Sequence, residues 1–403
     1  MKITEANKKT IHKILTRGVE NVYPSKEALE KILLSGKKLR IYNGIDPTGK
    51  LHIGHGVVLK KLRQFQDLGH EIIVLIGDFT ARIGDPTDKS ATRQKLSKQE
   101  VSQHSRDYKK LIGKILDLKK SNVRFLHNEK WTNKLKPEDL LELASYFTVS
   151  RLLERDMFQN RIKEGKEIGV HEFLYPIFQA YDSVTMDVDI EIGGNDQTFN
   201  MLAGRTLLKK IKNKEKFVLT TKLLTNSDGK KMGKTEGVKI NLDETPIDMY
   251  GKLMAVPDSS IVDFFTLCTD EPEEEIQKIK KLLETHSSNP RDLKMKLART
   301  ITELYHSKEE ATKAEQHFIN VFQKKELPQQ INMRELKSWP TTLVSAVISA
   351  NLATSISEAR RFIEQGGVKI DGQTEKNPNA PVPKKEITIS RGKKLFIRLK
   401  PKK

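Results

Sequence analysis

The apolar residues of this chain change period several times, and each change marks an element. Residues 39–45 (LRIYNGI) alternate apolar and polar positions as a strand does, then run into Asp46-Pro47-Thr48-Gly49, a turn. Val58, Leu59, Leu62, Phe65 and Leu68 follow at helical spacing and are closed by Gly69. Ile72–Ile76 is an unbroken apolar run of strand length. Strand, helix and strand in about 40 residues predict a βαβ unit with parallel strands and a right-handed crossover. Another strand is expected at Val123–Leu126, with helical stretches around 138–160 and 171–184. The strand–helix signal returns at Val188–Ile192, followed by Gly193-Gly194 and a helix to about Ile211; Phe217–Leu224 is the last strand of this block. From about Glu244 to His317 the pattern is helical. Gln323–Pro340, with Pro328 and Pro340, reads as a linker, and a compact α+β module closes the chain.

Composition narrows the class. The 403 residues suggest two or three domains at ~150 residues each. With 36% hydrophobic and 31% charged residues the chain suits a globular protein. Its apolar runs fall far short of the ~20 residues that span a bilayer. The start, MKITEANKKTIHKIL, has no uninterrupted apolar core, so no secretory signal is expected. Cys268 stands alone, which excludes an intrachain disulfide or a cysteine-based zinc site and points to a reducing cytoplasm. Lys and Arg number 72 against 53 Asp and Glu, a net +19 that suggests a polyanionic partner. Within Thr341–Lys403 there are 13 basic and 5 acidic residues, so 8 of those charges sit at the C-terminal end.

Two distant loops carry phosphate chemistry. Residues 46–55, DPTGKLHIGH, join the first strand of the βαβ unit to its helix, at the sheet edge where α/β folds bind ligands. A helix N-terminus there offers backbone N–H groups and partial positive charge. His52 and His55 lie in the first turn with ring N–H donors, and Gly54 leaves room for close approach. Metal ligation by the two histidines is the rival reading, and no third ligand lies nearby. The second loop, Asp228–Thr235, sets three lysines among glycines: a cationic flap or an ordinary solvated turn. It lacks the spacing of a P-loop.

His52-Ile53-Gly54-His55 and Lys231-Met232-Gly233-Lys234-Thr235, about 180 residues apart, resemble the HIGH and KMSKS motifs of class I aminoacyl-tRNA synthetases. Gly233 and Thr235 stand where that consensus has serines. The resemblance implies attack of an amino-acid carboxylate on the ATP α-phosphate, with magnesium accompanying ATP and no tightly bound cofactor. His52, His55, Lys231 and Lys234 would stabilise the departing pyrophosphate, with Thr48 and Thr235 as secondary donors. Positioning and charge stabilisation would carry the catalysis.

The segment 171–182, HEFLYPIFQAYD, puts Tyr175, Gln179 and Asp182 within about 60° of one another on a helix. Such a face is either solvated or a costly polar lining that needs partners. Followed by IGGNDQ (192–197), it resembles the tyrosyl-tRNA synthetase family. In that family Tyr42 and Asp182 would bind the substrate phenol, while Tyr175, Gln179 and Asp85 would hold its α-ammonium. Thr80 would form pocket wall and Gln197 would face the carboxylate end. Gly194 and Asp196 would meet the ribose, and Asp46 would lie near the aminoacyl-adenylate. The tryptophan-specific relatives share the fold, but the Tyr42/Asp182 pair and the C-terminal module argue against them. A non-catalytic RNA-binding protein on a degenerate synthetase body is disfavoured by the presence of both histidines and both lysines.

The C-terminal module resembles the S4-type RNA-binding domain. Ser355-x-x-Glu358 has the form of a capping box opening its second helix, which Gly366-Gly367 ends. Arg360, Arg361, Lys369 and the tail Arg391–Lys403, with seven basic and no acidic residues, would meet RNA phosphates. The expected architecture is therefore α/β: a Rossmann-like parallel-sheet catalytic domain over 1–240, an α-helical anticodon-binding domain over 241–322, a linker over 323–340 and an α+β S4-type RNA-binding domain over 341–403. The resemblance also implies a homodimer through a helical insertion at about 100–185, and L-tyrosine, ATP and tRNA(Tyr) as partners. No membrane association is expected.

Overall fold

The computed structural model describes residues 5–85, 98–225, 239–323, 332–392 and 395–402, in two compact units, Met1–Lys308 and Glu309–Lys403. The first unit is built on a six-stranded sheet. Its strands are β1 (Val19–Tyr23), β2 (Arg40–Ile45), β3 (Glu71–Ile76), β4 (Val123–His127), β5 (Ile190–Gly194) and β6 (Phe217–Thr221), in the order β1-β6-β5-β2-β3-β4. All neighbours are parallel except the edge strand β1, which runs antiparallel to β6. After β1 the chain enters the centre of the sheet with β2, builds outward through β3 and β4, then returns to the other side of β2 with β5 and β6, which ends beside β1. Where the order reverses, between β2 and β5, the two outgoing loops part and leave a crevice at the carboxyl ends of the strands.

Parallel strands covered on both faces read as continuous apolar runs. Accordingly Ile72, Ile73, Val74, Leu75 and Ile76 are all buried, as are Ile190 and Ile192. Helix Ile53–Asp67 makes the β2–β3 crossover and helix Thr198–Lys212 the β5–β6 crossover. Helix Val170–Met186, which enters β5 through a left-handed C-cap at Asp187, packs against helix Thr198–Lys212 through Ile177, Ala180, Val184, Ala203 and Leu207. The helical stretch expected at 138–160 is three short helices, Pro137–Ser145, Val149–Leu153 and Asp156–Lys163.

The helical region expected over 241–322 is shared between the units. Helices Pro246–Met254, Ile261–Cys268, Glu273–Glu284 and Pro290–Tyr305 belong to the first. Arg17 ties them to the sheet: its guanidinium donates to the carbonyls of Phe265 and Thr266 in the last turn of helix Ile261–Cys268 and to those of Thr269 and Glu271 just beyond it.

The second unit carries helix Lys308–Phe318 and a five-stranded sheet of β7 (Asn332–Leu336), β8 (Val368–Ile370), β9 (Gln373–Thr374), β10 (Ile387–Arg391) and β11 (Leu395–Pro401), in the order β7-β11-β10-β8-β9. β7 lies inside the span read as a linker and pairs in parallel with β11. It escapes a pattern reading because, as an edge strand, most of its side chains are exposed. Helices Leu343–Ser349 and Ile356–Glu364 cover the sheet through Val347, Ala359 and Ile363. Ser355 caps the second of these by accepting from Glu358 N–H at 3.2 Å, but the Glu358 carboxylate returns to Thr354 N–H at 2.7 Å, one residue before the cap. Arg360, Arg361 and Lys369 are exposed.

Candidate active site

The crevice at the switch point is one cavity. Tyr42, Asp46, Thr48, His52, Gly54, His55, Thr80, Asp85, Tyr175, Gln179, Asp182, Gly194, Asp196 and Gln197 all line it. Every residue expected around tyrosine or ATP within the described segments is therefore gathered there, from several loops, strands and helices. Lys231, Lys234 and Thr235 lie outside the described residues. The segments flanking their loop reach the same place: Lys222, Leu223 and Leu224 line the cavity, and Ile240 and Leu242 hydrogen-bond the backbone of Ile53 and Leu51 at 2.9 Å on either side of His52.

The first histidine begins helix Ile53–Asp67 as its N-cap. His52 Nδ1 accepts from Gly54 N–H at 3.2 Å, and His55 Nδ1 accepts from His52 N–H at 3.1 Å. The rings lie 4.0 Å apart. An imidazole whose Nδ1 accepts a backbone proton carries its own proton on Nε2. Both rings are thus fixed as Nε2–H donors at a helix terminus that already favours anions.

At the other end of the cavity Asp182 is 2% exposed. It accepts from Trp131 Nε1 at 2.7 Å and from Asn128 Nδ2 at 3.2 Å. Burial pushes its pKa up to about 8, opposed by those two donors and assisted by the charges of Glu191 and Asp46. The Tyr175–Gln179–Asp182 face is therefore a lining and not a solvated surface. Trp131 and Asn128 escaped the sequence reading. The available signal was their position just after β4, at the ligand-binding edge of the sheet.

The remaining carboxylates are held in place. Asp46 accepts from Tyr175 Oη at 2.9 Å and Thr80 Oγ1 at 2.7 Å. A Cβ on Gly77 would collide with Asp46 and sit 2.5 Å from Thr80 Oγ1, so glycine is required beside this pair. Asp85 accepts from Gln197 Nε2 at 2.7 Å and faces the buried Arg155 at 3.4 Å. Gln179 donates to Glu191 at 2.9 Å. Tyr42 is fully buried, its hydroxyl 2.9 Å from Ser183 Oγ; burial and the Glu191 charge raise its pKa.

A cavity with imidazole donors at one mouth and a buried phenol–carboxylate pair at the other belongs to a chain whose residues 34–323 match the family model of tRNA synthetases class I (W and Y). The chain belongs to that family. Residues 344–387 match the S4 domain. The tyrosine–tRNA ligase 2 of Clostridium acetobutylicum is 45% identical over 392 residues, 96% of this chain and 97% of that one. The tyrosine–tRNA ligase of Thermotoga maritima is 44% identical over 96% of both chains. Within the class, the chain therefore groups with the tyrosine–tRNA ligases. The fold agrees: a C-terminally truncated mitochondrial tyrosyl-tRNA synthetase from Aspergillus nidulans superposes with a TM-score of 0.65 at 25% identity, covering 78% of this chain and 94% of that one.

Proposed function

We propose that the chain activates L-tyrosine with ATP and transfers it to the 3′ end of tRNA(Tyr). The observation that carries this is the shared cavity of the two Nε2–H imidazoles and the buried Tyr42/Asp182 pair. The tyrosine carboxylate oxygen attacks the α-phosphorus, the bond to the bridging oxygen breaks, and pyrophosphate leaves with its negative charge. His52 and His55, joined by Lys231 and Lys234 and secondarily by Thr48 and Thr235, stabilise that charge. Magnesium travels with ATP as part of the substrate. A terminal hydroxyl of tRNA then attacks the tyrosyl carbonyl, and AMP leaves. No protein nucleophile is needed.

Asp182 and Tyr42 take the phenol, Tyr175, Gln179 and Asp85 the α-ammonium, and Thr80 the pocket wall. Gln197 serves the carboxylate end. Gly194 and Asp196 take the ribose, beside Gly54, with Asp46 near the adenylate. Because Asp46 already engages the Tyr175 hydroxyl, Tyr175 acts on the ammonium together with Asp46.

Residues 1–240 supply the chemistry, the helices of 241–322 approach the anticodon arm, and 341–403, joined through 323–340, bind RNA through Arg360, Arg361 and Lys369. The cytoplasm is the working compartment. A homodimer through residues 100–185 is supported by Leu141, Val149, Ile162 and Val170, large apolar side chains at 50–78% exposure in that stretch. Pyrophosphate exchange with each of the twenty amino acids tests the assignment. Exchange confined to tyrosine is expected; exchange with tryptophan and none with tyrosine would overturn it.

A further inference from the structure

One lysine lines the cavity that the reaction above does not use. Five carboxylates line it, those of Asp46, Asp85, Asp182, Glu191 and Asp196, and among the described residues Lys222 is the only lysine or arginine to do so. Asp85 and Glu191 are paired with Arg155 and Lys216, buried cations that do not themselves line the cavity. His52 and His55 accept backbone protons at Nδ1, which leaves their rings neutral. A nucleotide triphosphate drawn to this crevice therefore meets one fixed positive charge in the described lining, that of Lys222.

The position of Lys222 says which part of a nucleotide that charge serves. It directly follows β6, whose last residue, Thr221, pairs with Gly194 of β5 on one side and Val19 of β1 on the other. Its own N–H donates to the Gly18 carbonyl at 3.0 Å. Thr221 and Leu224 are buried while Lys222 is exposed, so the backbone is anchored and the ammonium remains accessible. Among the described residues that ammonium has no ion-pair partner. A Cβ on Gly194 would stand 3.0 Å from Leu223 Cδ2, which puts the 222–224 segment against the place assigned to the ribose. The ribose carries the α-phosphate on its 5′ oxygen. The imidazoles stand on the other loop, after β2, with the pyrophosphate. For a cation on a flexible four-carbon stem beside the ribose, the α-phosphoryl group is the nearest negative charge of the nucleotide.

We propose that Lys222 is a nucleotide-binding residue whose ammonium pairs with a non-bridging oxygen of the α-phosphate. This rests on the reading that the cavity takes ATP with its ribose at Gly194 and Asp196. It adds a division of labour: His52 and His55 serve the phosphates that leave, and Lys222 serves the phosphate that stays with the nucleoside. That phosphate is anionic in ATP and in tyrosyl-adenylate alike. Lys222 therefore holds reactant and product about equally, and its loss should raise the ATP KM more than it lowers kcat.

The test compares wild type, K222A, K222Q and K222R in tyrosine-dependent pyrophosphate exchange, with AMP and adenosine as inhibitors competing with ATP. In K222A and K222Q the ATP KM and the AMP inhibition constant should each rise about tenfold. Inhibition by adenosine, which lacks the phosphate, should hold, as should the KM values for tyrosine and pyrophosphate. K222R should recover most of the loss, because a guanidinium also pairs with phosphate. Added salt should weaken AMP binding more in wild type than in K222A. Equal losses for adenosine and AMP would overturn the proposal and make Lys222 a packing element of the nucleoside site. A loss confined to pyrophosphate would overturn it in favour of the leaving group. Unchanged ATP and AMP constants with slower transfer of tyrosine to tRNA would overturn it in favour of an RNA contact. Wild type without tyrosine-dependent exchange would overturn the underlying reading, an outcome distinct from an active wild type with an indifferent K222A.

Discussion

Replacing Trp131 by phenylalanine removes one hydrogen bond from a buried carboxylate while keeping a ring in its place. The Asp182 pKa, about 8, is a balance between burial, which raises it, and the donors Trp131 and Asn128, which lower it. The Trp131 bond is the shorter, 2.7 Å against 3.2 Å. A hydrogen bond to a charged group contributes about 1.5–3 kcal/mol, and each pH unit of pKa corresponds to about 1.4 kcal/mol. Trp131→Phe should therefore raise the Asp182 pKa by roughly 1–2 pH units. Only the ionised carboxylate is a charged acceptor for a phenol, and below its pKa the ionised fraction falls tenfold per pH unit. Near neutrality, below both the wild-type and the variant pKa, the tyrosine KM in pyrophosphate exchange should rise roughly 10–100-fold. The gap should close as the pH climbs through and beyond 8, first in wild type and later in the variant. The ATP KM should stay put. A KM ratio that is the same well below and well above the inflection would refute the coupling of Trp131 to Asp182 ionisation.

His52→Asn keeps a short side-chain acceptor for the Gly54 N–H but removes the Nε2 donor; adenylate formation should slow by about 10²–10³-fold, with tyrosine affinity by calorimetry unchanged. Gly77→Ala should push Asp46 from its bond with Thr80 and abolish most exchange activity, while circular dichroism and melting temperature report a folded protein. Removing residues 332–403 should spare tyrosyl-adenylate formation and weaken aminoacylation of tRNA, read from the two assays side by side. Because β7 pairs with β11, a cut at 341 would strand an edge strand, and the earlier cut is the cleaner experiment.

Much of this site is legible in the chain because its parts are local. The βαβ unit over 39–76 has its strands and helix where the apolar periods set them, and the His52/His55 pair follows from a spacing of three at a helix start. The Tyr175–Gln179–Asp182 face is likewise a property of one helix. What periodicity misses is set by partners far along the chain. β1 is only five residues long, mostly half-buried or exposed, and shows no clean alternation; its pairing with β6, about 200 residues away, makes it a strand. Glu191 is a charge within a buried central strand, and nothing near it in sequence marks Lys216 as its counter-ion, 25 residues away. Arg155 sits in a stretch that the sequence marks only as helical, yet it is 5% exposed, packed over Phe158 and Phe199 and facing Asp85. Such pairs are exceptions to the rule that charges stay outside.

The cavity lining combines a group of carboxylates with a pair of imidazole donors, and in the proposed function that contrast would orient the substrates. One end is lined by Asp46, Asp85, Asp182 and Glu191, each hydrogen-bonded by neutral groups or paired with a buried cation, so the carboxylates are positioned before any ligand arrives. The other is the start of helix Ile53–Asp67, with two imidazoles locked as donors. In the proposed binding mode the phenol goes in first, to Tyr42 and Asp182, the ammonium meets Tyr175, Gln179 and Asp85, and the amino-acid carboxylate would be left facing the imidazole donors, where a triphosphate would be drawn. At the far wall, phenylalanine would leave the Tyr42 donor and the Asp182 acceptor both unmet, at about 1–3 kcal/mol each. Together, about 2–6 kcal/mol, that would be a discrimination of roughly 30- to 25,000-fold, obtained from hydrogen bonding without excluding phenylalanine by size.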